Sequence, residues 1–346
     1  MALLNSTLLS LADIARTNYG SEDARADVAE LLSLHNPMID DIQWTEATST
    51  TNHIIYQRDR LPTVGWTGVN QGSPSSKSTQ KAVTETMGIL EGISSNEEKL
   101  LKLGGNENKI RWDQDKAFIE AMAQEFASTF FYGNEKINGK QFTGLANRYN
   151  SLSGNIASQV VNANGSGSDN TSIYIVRHGS DALQGIYPKA SPSGLQVEDK
   201  GRTREKNAAG EISYFKETQY IWQCGIVINN PYNIVRIANI DRSDLNGGSA
   251  ADLVNLLIDG LARLKIQGNN QIFPVQSLGY QNKVYLKSQT TIYMNRSVAV
   301  KLRQQANAKT ATGLVSGEAF GVPYQEILGI PVQVCDAILN SETAVS

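Results

Sequence analysis

The chain has 346 residues, of which 40% are hydrophobic and 19% are charged, and its formal net charge is −3. This composition is typical of a globular protein long enough for two domains, and the small net charge excludes a global field that attracts nucleic acid or anionic membranes. No apolar run approaches the ~18 residues that a membrane-spanning helix needs. The two cysteines, Cys224 and Cys335, lie far apart, so reduced thiols in a cytoplasm-like compartment are expected.

Residues 1–45 are predicted to form an N-terminal arm. Its first residues lack the basic region of a signal peptide, so export through a signal sequence is not expected. Two short helical patterns follow each other, with apolar positions at Leu4, Leu8, Leu11, Ile14, Val28, Leu31, Leu32 and Leu34. Because these side chains are too few to make a core, the arm is expected to dock on other residues or on another copy.

Residues 46–92 are predicted to form two strands joined by a long tip. The segments Asn52–Arg58 and Gln80–Leu90 are rich in β-branched and aromatic residues, as strands are. The tip between them is dense in Gly, Ser, Thr and Pro, which excludes a helix. An isolated two-stranded ribbon is only marginally stable in water, so a partner surface is expected; a flexible surface loop is the alternative.

A long helix is predicted over Asp113–Tyr132. Asp113 can cap its N-terminus, and Asp115 places a second negative charge in the first turn, where the helix dipole favours it. The residues Gly133-Asn134 then end the helix. The apolar stripe is formed by Phe118, Met122, Phe126 and Phe130, with Ile119 and Ala123 beside it.

The remaining elements alternate without regular βαβ units, which predicts an α+β fold. A capping-box pattern at Ser95–Glu98 predicts a short helix through Leu103. Residues 150–170 contain a segment, 162–170, that is predicted to be a flexible loop, and residues 185–211 are predicted to be irregular. Strands are predicted at Ser172–Arg177, within Tyr214–Ile240, at Lys283–Leu286, at Thr290–Met294 and over 327–339. Helices are predicted after the capping-box pattern Ser249–Asp252 and after the cap Asn295, the second through about Ala306.

The segment Arg177-His178-Gly179 matches the nucleophile motif of histidine phosphatases, in which the histidine accepts the phosphoryl group. That chemistry needs a second histidine far downstream. The only other histidines, His35 and His53, lie upstream, and the motif sits in the middle of the chain. A phosphatase-like enzyme is therefore the disfavoured alternative.

No other constellation predicts chemistry. The three histidines and two cysteines lack the spacing of a metal site. Residues 241–247 partly resemble a calcium loop, but Leu245 stands where an oxygen ligand is needed, which favours a strand-to-helix turn. A basic run is formed by Lys200, Arg202, Arg204 and Lys206; it is either a solvated loop or an inter-subunit salt-bridge patch. No catalytic, cofactor-binding or metal-binding residue is predicted.

Several short motifs resemble the major capsid proteins of tailed bacteriophages with the Hong Kong ninety-seven fold. Within that fold, the chain is most similar to the epsilon-fifteen-like family of short-tailed phages. The motifs are Phe131–Asn134, Phe142–Leu145, Arg148-Tyr149, Gly185–Pro188, Trp222–Asn229, Val235–Ile240 and Leu328–Val332, in family order. Each motif is weak alone, but together they are specific and spread over most of the chain.

The resemblance implies an N-terminal arm at 1–45, an extended loop at 46–92, a peripheral domain at 93–136 with 205–241, and an axial domain at 137–204 with 242–340. It implies a structural protein, with no cofactor, that assembles into hexamers and pentamers of an icosahedral shell around double-stranded DNA, without sequence-specific binding. No long segment precedes the arm, so a separate scaffolding protein is expected. A portal protein and, where present, a decoration or cement protein are further implied partners. The implied location is the virion, and the host cytoplasm during assembly.

Overall fold

A computed structural model describes residues 36–73, 75–103, 107–206, 212–247, 251–264, 290–308, 314–319, 322–327 and 330–346. The predicted helices of the arm and the strand predicted at Lys283–Leu286 lie outside these residues. The chain divides into two compact units. Among the described residues, unit 1 comprises Ile89–Phe126 and Gly194–Gln223, and unit 2 comprises the rest. The four-part division implied by the resemblance stays a prediction.

The described helices are α1 Met38–Asp41, α2 Glu98–Leu103, α3 Glu107–Tyr132, α4 Leu145–Arg148, α5 Arg242–Asn246, α6 Leu253–Arg263 and α7 Arg296–Ala308. The described strands are β1 Trp44–Glu46, β2 Asn52–Arg60, β3 Thr79–Thr86, β4 Gly88–Glu97, β5 Val160–Asn162, β6 Asn170–Arg177, β7 Leu183–Tyr187, β8 Gln196–Lys206, β9 Ile212–Ile228, β10 Ile234–Asp241, β11 Thr290–Met294, β12 Leu314–Ala319, β13 Val322–Ile327 and β14 Ile330–Val334. None of these helices is both long enough and apolar enough to span a membrane.

Unit 1 packs the first part of α3 against a sheet of β4, β8 and the first part of β9. The helix approaches the sheet closely at Gly92, where an added Cβ would lie 3.0 Å from the ring of Phe118. The rings of Phe126 and Trp222 are 4.7 Å apart, and Phe126 is fully buried. The predicted stripe is therefore core, although Ile119 beside it is 38% exposed.

Two helix starts differ from the sequence prediction. The long helix begins at Glu107, one and a half turns before Asp113. The predicted short helix through Leu103 is confirmed, but the capping box is wrong, because Ser95 lies in β4 and α2 begins at Glu98. The strand continues through these residues since it is paired with β9, and the hydroxyl of Ser95 donates to Glu217 of β9 instead of capping a helix. Tertiary pairing overrides the local capping signal.

Unit 2 is organised on a seven-stranded sheet of order β12-β13-β14-β11-β6-β10-β5. Helices α6 and α7 contribute to a hydrophobic core with the inner strands of this sheet. At Gly260 of α6 an added Cβ would lie 2.9 Å from Ile175, so the helix lies directly on the sheet. Within the predicted capping pattern Ser249–Asp252, the capping residue is Asp252, which accepts from the amide of Asn255 at 3.3 Å; Ser249 lies outside the described residues. The predicted cap Asn295 is confirmed, since it accepts from the amide of Ser297 at 3.0 Å.

Three predictions of strands or loops are wrong. The segment predicted as irregular at 185–211 contains most of β7 and all of β8, because both strands pair with β9. The strand predicted over Gln80–Leu90 is divided at Met87 into β3 and β4, which belong to different sheets. The last predicted strand, at 327–339, is divided between β13 and β14. Each of these assignments is decided by pairing with strands distant in sequence, which local composition does not report.

Candidate assembly surface

Strands β2 and β3 form a separate two-stranded antiparallel ribbon, paired from Asn52 opposite Thr86 to Arg60 opposite Thr79, with a shift of register between Arg58 and Arg60. Residues 61–73 and 75–78, which join them, contain neither helix nor strand. The predicted pair of strands with a long tip that is not helical is therefore confirmed. We call residues 61–78 the tip.

The base of the ribbon is attached to unit 2. Ile55 is buried in a cluster with Ile186 and Val227. Across the base, both carboxylate oxygens of Glu85 accept from the guanidinium of Arg148 at 2.6 Å. Such a bidentate pair fixes position as well as charge, because the planar fork matches the carboxylate. The base of the ribbon is therefore an ordinary part of the subunit fold.

The tip has the opposite character. Trp66 is 105% exposed, and three aliphatic residues nearby are also exposed: Leu61 at 69%, Val64 at 87% and Val69 at 93%. A tryptophan side chain exposes some 150–250 Å² of mostly apolar surface when it packs on nothing. Clustered exposed apolar side chains on a soluble chain mark an interaction site. The tip is therefore a candidate interaction surface.

Exposed apolar side chains are also found on one face of the ribbon. Ile54 is 40% exposed and Tyr56 is 72% exposed, whereas Ile55 between them is buried. This alternation follows from the period of two in a strand, which directs Ile55 to the core and its neighbours to the other face. Ile54 and Tyr56 thus form an exposed apolar patch on this face of β2, which Arg58 and Arg60 on the same face separate from the tip.

The phosphatase-like motif is buried and inert. His178 is 2% exposed, and its Nε2 lies 2.9 Å from the hydroxyl of Tyr293. Burial lowers the pKa of His178 to about 4. The neighbouring Arg177 is also buried and pairs with Asp181 at 3.1 Å. A phosphoryl acceptor must reach its substrate, so this geometry does not support the enzyme alternative.

The second histidine needed for that chemistry is also not supplied. His53 lies in the ribbon, where its Nδ1 accepts from the amide of Thr48 at 3.2 Å. His35 lies outside the described residues. Within the described chain, no group of three or more His, Cys, Asp or Glu residues can hold a metal ion. The supposed calcium loop is a strand-to-helix turn, in which Asp241 caps α5 by accepting from the amides of Ser243 and Asp244.

The basic run belongs to a strand, so its interpretation as a loop is wrong. Lys200 pairs with Glu198 at 2.6 Å, and Arg202 pairs with Glu98 at 2.8 Å. Arg202 also lies over the ring of Tyr214, 3.9 Å from its centroid. These contacts lie within unit 1, so for two of the four basic residues the charge is balanced inside the subunit. The inter-subunit patch stays a prediction.

Sequence analysis missed a buried polar network in unit 2. The guanidinium of Arg236 donates to Glu342 at 2.8 Å, and the side chains are only 4% and 5% exposed. Glu342 also accepts from the hydroxyl groups of Tyr132, at 2.5 Å, and Ser172. Burial raises the pKa of Tyr132 well above its usual value, so its hydroxyl stays a donor.

Three further donors of Arg236 bond to the backbone and to Ser172. Its Nη1 donates to the carbonyls of Ala146 and Tyr149, at 3.1 and 2.9 Å, and its Nε donates to Ser172 at 3.0 Å. The network joins the end of α3, two sheet strands and the C-terminal segment. An arginine in a strand such as VRIANI and a glutamate over 100 residues later carry no local signal of contact.

Comparison with known proteins agrees with this architecture. A solved structure of bacteriophage epsilon15 matches 100% of this chain and 99% of its own, with 23% identity and a TM-score of 0.74. The capsid of Myoviridae phage XM1 matches 67% of this chain and 99% of its own, with 11% identity and a TM-score of 0.40. No curated protein matches the chain. The epsilon15 likeness shows an α+β fold of the Hong Kong ninety-seven type.

The family model of the major capsid protein GP7 matches residues 20–346, nearly the whole chain. Members of this family are structural components of a phage shell and not enzymes, as the resemblance implied. The exposed ribbon, the buried histidine motif and the family match lead to one conclusion: the chain belongs to the family of the phage major capsid protein GP7.

Proposed function

We propose that the tip and the apolar face of the ribbon are contacts between copies of this capsid protein. The observation that carries the proposal is the complete exposure of Trp66 at the end of a ribbon whose base is firmly held by unit 2. In a shell, each copy of the protein is surrounded by identical copies, so the partner of the tip is another copy. The apolar surface of the tip and ribbon is the surface such a contact would remove from water.

The energetic argument separates folding from assembly. Ordering a residue costs about 1–2 kcal/mol in backbone entropy, and the tip has almost no contacts within its subunit to offset that cost. Burying apolar surface against a neighbour returns about 25 cal/mol for each Å². The tip therefore gains its order only when a neighbouring copy covers it, which couples the folding of this segment to shell formation.

Copies joined in this way make heterologous contacts, which close into rings when the rotation between copies allows it. We infer that the rings are hexamers and pentamers of an icosahedral shell that encloses double-stranded DNA without sequence-specific contacts. The domain division at 1–45, 46–92, 93–136 with 205–241, and 137–204 with 242–340 belongs to this proposal. So do a separate scaffolding protein, a portal protein, a decoration or cement protein, and assembly in the host cytoplasm before the virion is complete.

The test replaces Val69–Lys77 by a two-residue Asn-Gly turn and keeps both strands of the ribbon. We expect a soluble subunit that melts cooperatively with near-native secondary structure but forms no closed shells, or only fragile ones. Circular dichroism measures the first property, and electron microscopy of assembly reactions measures the second. Normal, equally stable shells would refute the role of the tip. An unfolded subunit would show that the tip belongs to the subunit core.

A further inference from the structure

The segment of residues 36–47 enters unit 2 and is fixed there at several points; we call it the anchor segment. Met38 is fully buried and Ile42 is 5% exposed. Strand β1 pairs in parallel with β7, and the amide of Gly185 donates to the carbonyl of Gln43 at 2.9 Å. An added Cβ at Gly185 would lie 2.6 Å from the ring of Trp44, so β7 and the anchor segment pack without space between them.

A chain of three polar side chains also fixes the anchor segment to the seven-stranded sheet. Asp41 ends α1, Tyr293 lies in β11, and His178 directly follows β6. The hydroxyl of Tyr293 donates to the carboxylate of Asp41 and lies 2.9 Å from Nε2 of His178. No metal, substrate or interface use of these residues follows from the capsid function.

The direction of the two hydrogen bonds fixes the protonation state of the histidine. A tyrosine has one hydroxyl proton, and with Asp41 ionised that proton lies toward the carboxylate. Nε2 of His178 must then carry a hydrogen and donate, which leaves Nδ1 without one. Nδ1 is buried and has no hydrogen-bond partner among the described residues. A second proton on this ring would therefore be a buried charge with no acceptor.

We propose that His178, Tyr293 and Asp41 form a proton-sensitive latch that holds the anchor segment on the sheet of unit 2 and loosens it in mild acid. A proton enters Nδ1 of His178 when the latch opens to water, and it prevents closure until it leaves. The proposal goes beyond shell assembly, because it concerns a conformational change within a single subunit.

The charged and titratable groups around the latch do not provide another acceptor for Nδ1. Asp41 faces Tyr293, Thr291 and Gln333, and its helical neighbour Asp40 adds a like charge. Cys335 lies near Tyr293, and its thiol is 3.7 Å from the side-chain oxygen of Asn36.

On the His178 side, the nearest acid in sequence, Asp181, is already paired with Arg177. The latch thus contains one weakly basic nitrogen that is unpaired when the latch is closed.

The sign of the pH dependence follows from the two pKa shifts. Burial lowers the pKa of His178 to about 4, against 6.5 in water, so the open state binds the extra proton and opening is favoured as pH falls below 6.5. Burial raises the pKa of Asp41, which favours the closed state at lower pH and opposes this effect. As the pH falls from neutral, the protonation of His178 therefore decides the direction of the effect, which is toward opening. The equilibrium constant for opening the latch rises by at most about thirty-fold between about pH 7.5 and about pH 5.

The test uses Cys335, which is fully buried beside Asn36 and becomes accessible when the anchor segment leaves. We measure the rate at which dithiodipyridine, a reagent that stays reactive in acid, labels Cys335 in full-length Cys224→Ser subunits from about pH 7.5 to about pH 5. Each rate is divided by the rate of the same reagent with a small free thiol at the same pH. We expect a rise of about ten- to thirty-fold on acidification. The double variant Cys224→Ser, His178→Gln keeps an N–H donor that cannot take a proton, and its rate should stay constant.

Two controls make each outcome decisive. In Cys335→Ser subunits, labelling of the buried Cys224 reports global unfolding and should not accelerate with Cys335. If the His178→Gln variant does not fold, Tyr293→Phe in the Cys224→Ser background serves instead. It removes the hydroxyl that links Asp41 to His178, so Cys335 should be labelled quickly at both pH values. A rise that persists in His178→Gln, equal acceleration of both cysteines, or no rise at all would overturn the latch.

Discussion

Apolar side chains are usually buried and charged side chains are usually exposed, and the ribbon tip and the polar network of unit 2 are opposite exceptions to this rule. At the tip, a tryptophan and several aliphatic residues stand in water, whereas in the network an arginine and a glutamate are almost fully buried. Buried charges are tolerated when paired and hydrogen-bonded, and the network meets that condition inside one subunit. Under the proposed function, the apolar side chains of the tip are buried only by another copy.

The difference shows where each part of the protein obtains its stability. Four hydrogen bonds of the Arg236 side chain, to Glu342, Ser172 and two backbone carbonyls, are specified by a single fold. Trp66 has no such contacts within the described subunit. Under the proposed function, its apolar surface stabilises the shell and not the subunit. The two regions predict opposite results from mutation: subunit stability should respond to the network and core, and shell stability should respond to the tip.

The largest expected effect is in the core that supports the comparison. Phe126→Asp places a carboxylate in a site with 0% exposure against Trp222, and it should cost more than the about 3–5 kcal/mol of a Phe→Ala change. Urea unfolding of the subunit measures the loss. Ile119→Asp is the matched control, because it adds the same charge to the same helix at a position that is 38% exposed. A normally assembling Phe126→Asp protein would show that the stripe is not core.

The network should give the next largest effect. Glu342→Ala leaves the guanidinium of Arg236 buried without its carboxylate, which is expected to destabilise the subunit by about 3–5 kcal/mol. Asp336→Ala removes a carboxylate of similar geometry, 2.8 Å from Arg296, whose side chain is 67% exposed, and should cost at most about 1 kcal/mol. Chemical denaturation compares the two. Similar losses would mean that burial does not distinguish these pairs.

The tip should give the smallest effect on the subunit and the clearest effect on the shell. Trp66→Ser removes no intramolecular packing, so the free energy of unfolding of the subunit should change by less than about 0.5 kcal/mol. Shells of this variant should dissociate at lower denaturant concentrations, because an aromatic anchor is lost from each contact. Ile137→Ser is the control, since Ile137 is 85% exposed in a turn outside the ribbon. Equal behaviour of the two variants would remove the special role of the tip.

Local signals in the sequence predicted much of this molecule. The stripe of α3, the cap Asn295, the helix that follows Ser249–Asp252, and the two strands with a non-helical tip were all evident from residue type and spacing. The resemblance in short motifs led to the fold and family. These features share one property: each depends on residues within about one helical turn or one hairpin of each other.

Features decided by distant residues could not be predicted in this way. Strand β8 has the composition of a loop, and only its pairing with β9 makes it a strand. Arg236 and Glu342 meet across 106 positions of sequence. The bond between His178 and Tyr293 spans 115 positions and converts an apparent catalytic motif into a buried contact. In each case, the structure is decided by contacts between residues that are distant in sequence, which local composition cannot predict.

The central claim is that the tip is ordered by neighbouring copies and not by its own subunit. Hydrogen exchange of the amides of residues 61–73 and 75–78, measured in dissociated subunits and in assembled shells, tests it most directly. The account predicts exchange close to the unprotected rate in subunits and strong protection in shells, with protected strands at Ile55 and Glu85 in both. Protection of the tip already in the free subunit, or unprotected exchange within the shell, would contradict it.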